Sequence, residues 1–214
     1  MFAHNRQREI FLNHLGIIEK NGIHFKTVKD YSIYAEQELY LEGTGVLILD
    51  REHKIAYCSI SERANQELLA IFCDDNGYKP VVFHATQAVE QQRLPIYHTN
   101  VMMALGTKFC VICLESIQDE EERENVIRYL ESTAKIIITI SEVQIHQFCG
   151  NIIELKNEVD ESLIVMSEQA YQGFTEEQKD QLKTFGKLIS IPIYTIEKYG
   201  GGSIRCMIAE VFHQ

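Results

Sequence analysis

One pattern recurs along this chain at a spacing of about fifty residues, enough for one supersecondary unit per repeat. Leu41-Glu42-Gly43-Thr44-Gly45-Val46 opens one copy, Tyr97-His98-Thr99-Asn100-Val101-Met102 a second, and Phe148-Cys149-Gly150-Asn151-Ile152-Ile153 a third. Gly201-Gly202-Ser203 then opens a final, shortened copy. At each opening, polar or glycine residues run into an apolar, strand-like segment. A turn and a second strand follow, Ile55 to Cys58 in the first copy and Leu163 to Met166 in the third. The hairpin of the second copy is less distinct.

A helix comes next in every full copy. Leu68, Leu69, Ile71 and Phe72 recur at helical spacing after Ser61-Glu62-Arg63-Ala64. Asp119 to Glu122 place acids where they oppose a helix dipole, ahead of Val126, Ile127 and Leu130; the run reads as a solvated helix start. Thr175-Glu176-Glu177-Gln178 has the form of a capping box, with Leu182 and Phe185 on the buried side. Each helix returns to a strand: Val81-Val82-Phe83, Ile136 to Ile140, and Ile191 to Ile196.

The unit is therefore ββαβ. A unit that cannot bury its apolar face alone must stack on its neighbours, as blades around an axis or as a solenoid. The expected architecture is α/β, one domain over residues 1–214. The N-terminus enters part-way through a unit: Asn5 to Leu15 read as a helix and His24 to Val28 as its returning strand, with no hairpin ahead of them. The last copy, Met207 to Phe212, alternates as a half-buried strand does.

Composition narrows the function classes. The 214 residues are 45% hydrophobic with a formal net charge of −11 and no basic block, so a phosphate backbone would be repelled. No run approaches the roughly 20 apolar residues that span a bilayer. No signal-like segment opens the chain, and the cysteines form no staple pattern, which fits a cytoplasmic protein with reduced thiols. Cys110-Val111-Ile112-Cys113 has zinc-site spacing, but it lies inside an apolar strand-like run and reads as packing.

Equivalent positions of a ring converge on its centre. Those positions are Glu42, His98, Asn100, Asn151 and Cys206. Taken singly, Glu42 reads as a solvated strand end, His98 as a core histidine and Cys206 as an inert thiol at a strand start. Taken in register, they supply a carboxylate, a proton shuttle and a nucleophile to one pocket. Arg205 beside Cys206 favours the thiolate, and the glycine triplet lets backbone approach a ligand. His84 and His146 share no such register and read as structural.

The motifs Leu41-Glu42-Gly43-Thr44-Gly45, Ile96-Tyr97-His98-Thr99-Asn100-Val101-Met102-Met103, Phe148-Cys149-Gly150-Asn151 and Gly200-Gly201-Gly202-Ser203-Ile204-Arg205-Cys206-Met207 resemble those of the pentein, or guanidino-group-modifying, superfamily. Within it the chain is similar to the amidinotransferase-like branch of citrulline-utilisation hydrolases and arginine-deiminase-related proteins. The resemblance implies an α/β propeller of ββαβ modules, here lacking most of the first module. It implies Glu42, His98 and Cys206 as catalytic residues, and Asn100, Asn151, Ser203 and Arg205 as substrate contacts. Neither cofactor nor metal is implied, and the partner is a small-molecule substrate.

The implied reaction is hydrolysis at a ureido or guanidino carbon through a covalent Cys206 adduct, with His98 as general acid and base. Arginine-directed members carry an acid two residues after the histidine, where Asn100 stands here. A neutral ureido group has a carbonyl acceptor that an amide N–H can satisfy, so citrulline is expected ahead of arginine. The open ring edge left by the missing hairpin suggests an alternative, an impaired enzyme or a subunit completed by a partner, including a second copy.

Overall fold

Buried central strands organise the fold. A computed structural model describes residues 13–210. The described chain enters through α1 (Asn13–Lys20), then a helical turn over Ser32–Gln37 and a single turn of helix, α2 (Gly43–Val46). The first sheet holds β1 (Ile48–Asp50), β2 (Ile55–Ser59) and β3 (Lys79–Phe83), with α3 (Gln66–Asn76) between the last two. A separate hairpin, β4 (Thr86–Val89) and β5 (Gln92–Pro95), leads to the second sheet. There β6 (Met103–Leu105) and β7 (Phe109–Ile112) precede α4 (Glu120–Ser132) and β8 (Ile136–Thr139). After α5 (Glu142–His146) come β9 (Ile153–Lys156), β10 (Ser162–Ser167), α6 (Glu168–Gly173), α7 (Glu176–Lys183), β11 (Lys187–Ile191) and α8 (Tyr194–Gly200).

The three larger sheets share one connectivity. An antiparallel pair (Ile48 opposite Tyr57, Met103 opposite Ile112, Leu163 opposite Leu155) is followed by helix and a strand parallel to the middle one. The middle strands carry the apolar load: every residue of β2 and β7 is buried, as are the last four of β10. Such near-continuous burial is what a strand covered on both faces requires. Tyr57 and Phe83, Met103 and Ile112, and Ile164 and Met166 join one core running through all three sheets. A smaller cluster packs α3 on the first sheet, and a third, with Ile153, Val165 and Ile204, holds the C-terminal turn to the third.

Local signals set the helix ends. Asn65 caps α3 by accepting from the Leu68 N–H, and Gly77 ends it at φ 67°. Asp119 caps α4, and the Thr175–Gln178 capping box opens α7. Glu122 is not simply solvated: its carboxylate accepts from the His84 backbone N–H at 2.6 Å and lies 2.9 Å from His84 Nδ1.

Four strand assignments are corrected. His24–Val28 forms no strand; the segment is exposed, and no strand among the described residues pairs with it. The final strand of the third unit lies at Lys187–Ile191 and not Ile191–Ile196, because Pro192 cannot donate to a ladder and α8 follows at once. The openings are helical turns rather than strand starts: α2 after Glu42, Thr99–Val101 after His98, and Ile204–Met207 around Cys206. Cys206 therefore sits inside a turn, and residues 208–210 are not strand. Of the segment expected as the first helix, residues 5–12 lie outside the described chain, as do residues 211–212 of the expected last strand.

Gly150 shows how tightly these turns pack. A Cβ there would overlap the Val101 carbonyl oxygen and lie 2.9 Å from Met102 Cα, so only backbone movement could relieve it. Gly150→Ala is expected to cost about 3 kcal/mol, at the top of the overpacking range. Urea unfolding followed by circular dichroism measures this; a midpoint equal to wild type would contradict the packing.

Candidate active site

Two of the tight turns bring a carboxylate to an imidazole. Glu42 precedes α2 and His98 precedes the Thr99–Val101 turn, and Glu42 Oε2 lies 2.8 Å from His98 Nε2. Thr99 locks the two openings together: its hydroxyl donates to the Val46 carbonyl at 2.7 Å and accepts from the Ser59 N–H at 2.9 Å. Gly45 is required for the approach, since a Cβ there would lie 2.9 Å from His98 Nδ1. A carboxylate on one imidazole nitrogen fixes ring orientation, leaving the other nitrogen for proton transfer.

The other turns bring two amides to a thiol. Asn151 Nδ2 lies 3.3 Å and Asn100 Nδ2 3.6 Å from Cys206 Sγ. Asn151 also donates to the Asn100 carbonyl at 2.8 Å and accepts the Arg205 backbone N–H at 3.1 Å. It thereby ties three openings into one cluster. Asn100 and Asn151 are both buried, whereas Cys206 is exposed. The sulfur also lies 3.6 Å from Asn151 Oδ1 and 3.9 Å from Asn100 Oδ1.

Tyr97 joins the two groups. Its ring centroid is 4.8 Å from that of His98, and its hydroxyl donates to the Gly201 carbonyl at 3.3 Å. Burial, then the neighbouring Cys206 thiolate, raises the Tyr97 hydroxyl above its usual range. The structure thus gathers Glu42, His98, Asn100, Asn151 and Cys206 in one region; no hydrogen bond joins His98 directly to Cys206 among the described residues.

Ser203 and Arg205 take other places. The Ser203 hydroxyl is buried and donates to Glu197 Oε1 at 2.7 Å. The Arg205 guanidinium donates to the Ile208 carbonyl at 2.8 Å and approaches Glu210 Oε2 at 3.3 Å. Burial lowers its pKa against the opposing pull of Glu210.

Sequence reasoning overlooked Arg63. Its guanidinium lies 4.7 Å over the Tyr97 ring and 3.7 Å from Glu42 Oε2, and its Nε is buried without a hydrogen-bond partner. The signal was present in Ser61-Glu62-Arg63-Ala64, which reads only as a helix approach. A cavity of about 280 Å³ is lined by Gly43, Thr44, Met103, Ile152 and Arg205 among others; Glu42, His98, Asn100, Asn151 and Cys206 do not line it. Among the described residues no group of His, Cys, Asp and Glu could hold a metal ion, and no helix is long and apolar enough to cross a membrane.

The thiols differ sharply in environment. Cys58, Cys73, Cys110, Cys113 and Cys149 are buried. Burial pushes Cys58 and Cys149 up to about 12 and Cys73 to about 11, and it also raises Cys110 and Cys113. Iodoacetamide at neutral pH is expected to label Cys206 alone within minutes, read by peptide mass spectrometry. Fast labelling of a buried cysteine with Cys206 inert would refute this assignment of reactivity.

Likeness to solved structures bears on the fold. The mixed α/β fold matches ArgZ, an arginine dihydrolase from the ornithine–ammonia cycle in cyanobacteria, with TM-score 0.66 and 17% identity over 96% of this chain and 29% of that one. The N-terminal domain of an ArgZ variant, covalently bound to a reaction intermediate, gives TM-score 0.66 and 16% identity over 96% of this chain and 66% of that domain. SxtG, an amidinotransferase from Microseira wollei, gives TM-score 0.50 and 14% identity over 76% and 42%. The chain thus spans under a third of full-length ArgZ. No curated protein matches it by sequence.

Fold and motifs together define a member of the pentein superfamily of guanidino-group-modifying enzymes. More narrowly, the chain belongs to the family described as N,N dimethylarginine dimethylhydrolase, eukaryotic, whose model matches residues 1–213.

Proposed function

We propose that this chain is a hydrolase acting on the ureido or guanidino carbon of a small amino acid, with citrulline preferred and arginine second. The observation that carries the reading is the pair of amide N–H groups on Cys206 Sγ beside a carboxylate-bound imidazole. The reading includes the propeller arrangement, with the ββαβ units set around an axis and their opening turns at one end.

In this mechanism the Cys206 thiolate attacks the ureido carbon of citrulline and forms the C–S bond. His98, as imidazolium, protonates the departing δ-nitrogen as the C–N bond breaks, and ornithine leaves. The neutral imidazole then takes a proton from water, whose oxygen attacks the thiocarbamate carbon. Thiolate is regenerated, and the released carbamate decomposes to ammonia and carbon dioxide. Glu42 orients the imidazole for both transfers. With arginine the same steps expel ammonia first.

The choice of substrate follows from hydrogen-bond demand. A guanidinium offers donors only, whereas a ureido oxygen needs N–H donors of the kind Asn100 and Asn151 carry. Glu42 already serves His98 and lies near Arg63, which leaves the region poor in negative charge for a cation. The half-satisfied Arg63 guanidinium suits the carboxylate of an amino-acid substrate. The family description favours dimethylarginine as a second reading. Incubation with citrulline, arginine and asymmetric dimethylarginine, with ornithine, citrulline, ammonia and dimethylamine quantified, tests both. Ornithine and ammonia from citrulline are expected; dimethylamine release at a higher kcat/KM would favour the second reading, and no product from any of the three would overturn both.

A further inference from the structure

Glu197 is the carboxylate among the described residues that is both nine-tenths buried and left with an oxygen lacking a hydrogen-bond partner. A buried, half-satisfied anion is costly, and an apolar side chain of similar volume would spare that cost. Its other oxygen is engaged, and the partner is informative. Ser203 is fully buried at the N-cap position of the Ile204–Met207 turn, where a serine hydroxyl ordinarily accepts from a backbone N–H two or three residues on. That cap is absent. The hydroxyl instead donates to Glu197 Oε1 at 2.7 Å, while the Ser203 carbonyl accepts the Cys206 N–H at 3.1 Å. One serine therefore ties the acid to the backbone of the thiol.

The loop between them is tightly determined. Gly201 ends α8 at φ 69°, and a Cβ on Gly202 would lie 3.0 Å from Cys206 Cβ and 3.2 Å from its Sγ. We propose that Glu197 is the positioning residue of the nucleophile: through Ser203 it locks the glycine loop so that Sγ stays against the Asn151 and Asn100 amides. The proposal rests on Cys206 being the nucleophile. An anionic acceptor makes the stronger bond to a hydroxyl, which gives the buried charge a purpose that an amide fills only in part. Nothing here requires Glu197 to touch substrate.

The test compares Glu197→Ala, Glu197→Gln and Ser203→Ala with wild type. The rate of Cys206 alkylation by iodoacetamide is measured across pH, together with kcat, KM and thermal midpoint. Tyr97, His98 and Arg205, the titratable and charged neighbours of the thiol cluster, are unchanged in all variants. In Glu197→Ala and Ser203→Ala the rate of Cys206 alkylation near neutral pH is expected to fall about tenfold as Sγ loses its N–H donors. On a competent substrate, kcat should fall about tenfold or more with KM within about twofold, since small misplacements cost rate rather than binding. Glu197→Gln, which keeps an acceptor for Ser203, should recover most of both. Alkylation profiles matching wild type in Glu197→Ala and Ser203→Ala would overturn the proposal whatever happens to the midpoint, as would a change in KM alone. Should Glu197→Ala not fold, Glu197→Gln and Ser203→Ala decide it. Absence of turnover in wild type would count against the proposed function, while the alkylation profile would still decide the role of Glu197.

Discussion

Cys206→Ala is expected to lower turnover by at least about 10⁴-fold, because removal of a nucleophile leaves only binding and electrostatic stabilisation. Under the proposed function, substrate affinity measured by calorimetry should stay within a few-fold, since the contacts proposed for Asn100, Asn151 and Arg63 remain. His98→Asn should lower kcat by about 10² to 10⁴, the usual contribution of a general acid–base group. The double variant should be no slower than Cys206→Ala, because an imidazole with no thiolate to serve has little left to do. Retention of more than about one hundredth of wild-type kcat by Cys206→Ala would exclude it as the nucleophile, given how large such losses are. A double variant that is slower by the product of the single effects would separate His98 from the covalent step.

The sequence exposed the repeat because strand and helix periods differ and because the unit is long enough to recur visibly. Leu68, Leu69, Val126, Leu130 and Leu182 mark helix faces that are buried where helical spacing puts them. The hairpin β4–β5 escaped notice since Gln92, Arg93 and Leu94 are exposed and carry no alternation of burial. Glu90 takes φ 54° at its turn without a glycine to signal it. The openings were legible as positions but not as shapes. Glycine before an apolar run reads as a strand start, yet Gly45, Gly150 and Gly202 serve close approach: to His98, to the Val101–Met102 backbone and to Cys206. Register alone brought Glu42, His98, Asn100, Asn151 and Cys206 into one set. Arg63 and Glu197 could not be found this way, because their places depend on a ring stack and a buried hydroxyl formed only in three dimensions.

Lys135→Met should give the largest stability loss outside the candidate site. Lys135 and Asp50 are both buried, with Nζ 3.1 Å from Asp50 Oδ2 and 2.8 Å from the Thr107 carbonyl. Asp50 also accepts the His53 backbone N–H at 3.0 Å and faces His53 Nδ1 at 3.0 Å. Burial pushes the Asp50 carboxyl up, but the His53 bonds and Lys135 together hold it below the ordinary value. Removing one partner of a buried pair costs about 3–5 kcal/mol, because the other charge stays desolvated. At this chain length that is a fall in thermal midpoint of about 6–15 °C. A depressed folded-state pKa means stability that is fully present above the unfolded aspartate value of about 3.9 and lost as pH falls through the folded value. The gap between wild type and Lys135→Met should therefore be widest near neutrality and close in acid, below the unfolded value. Asp50→Leu with Lys135→Met should be more stable than Lys135→Met alone, since no uncompensated charge remains buried. A midpoint for Lys135→Met within about 2 °C of wild type at pH 7, a difference of under 1 kcal/mol, would show that His53 alone satisfies Asp50 and that the pair contributes little.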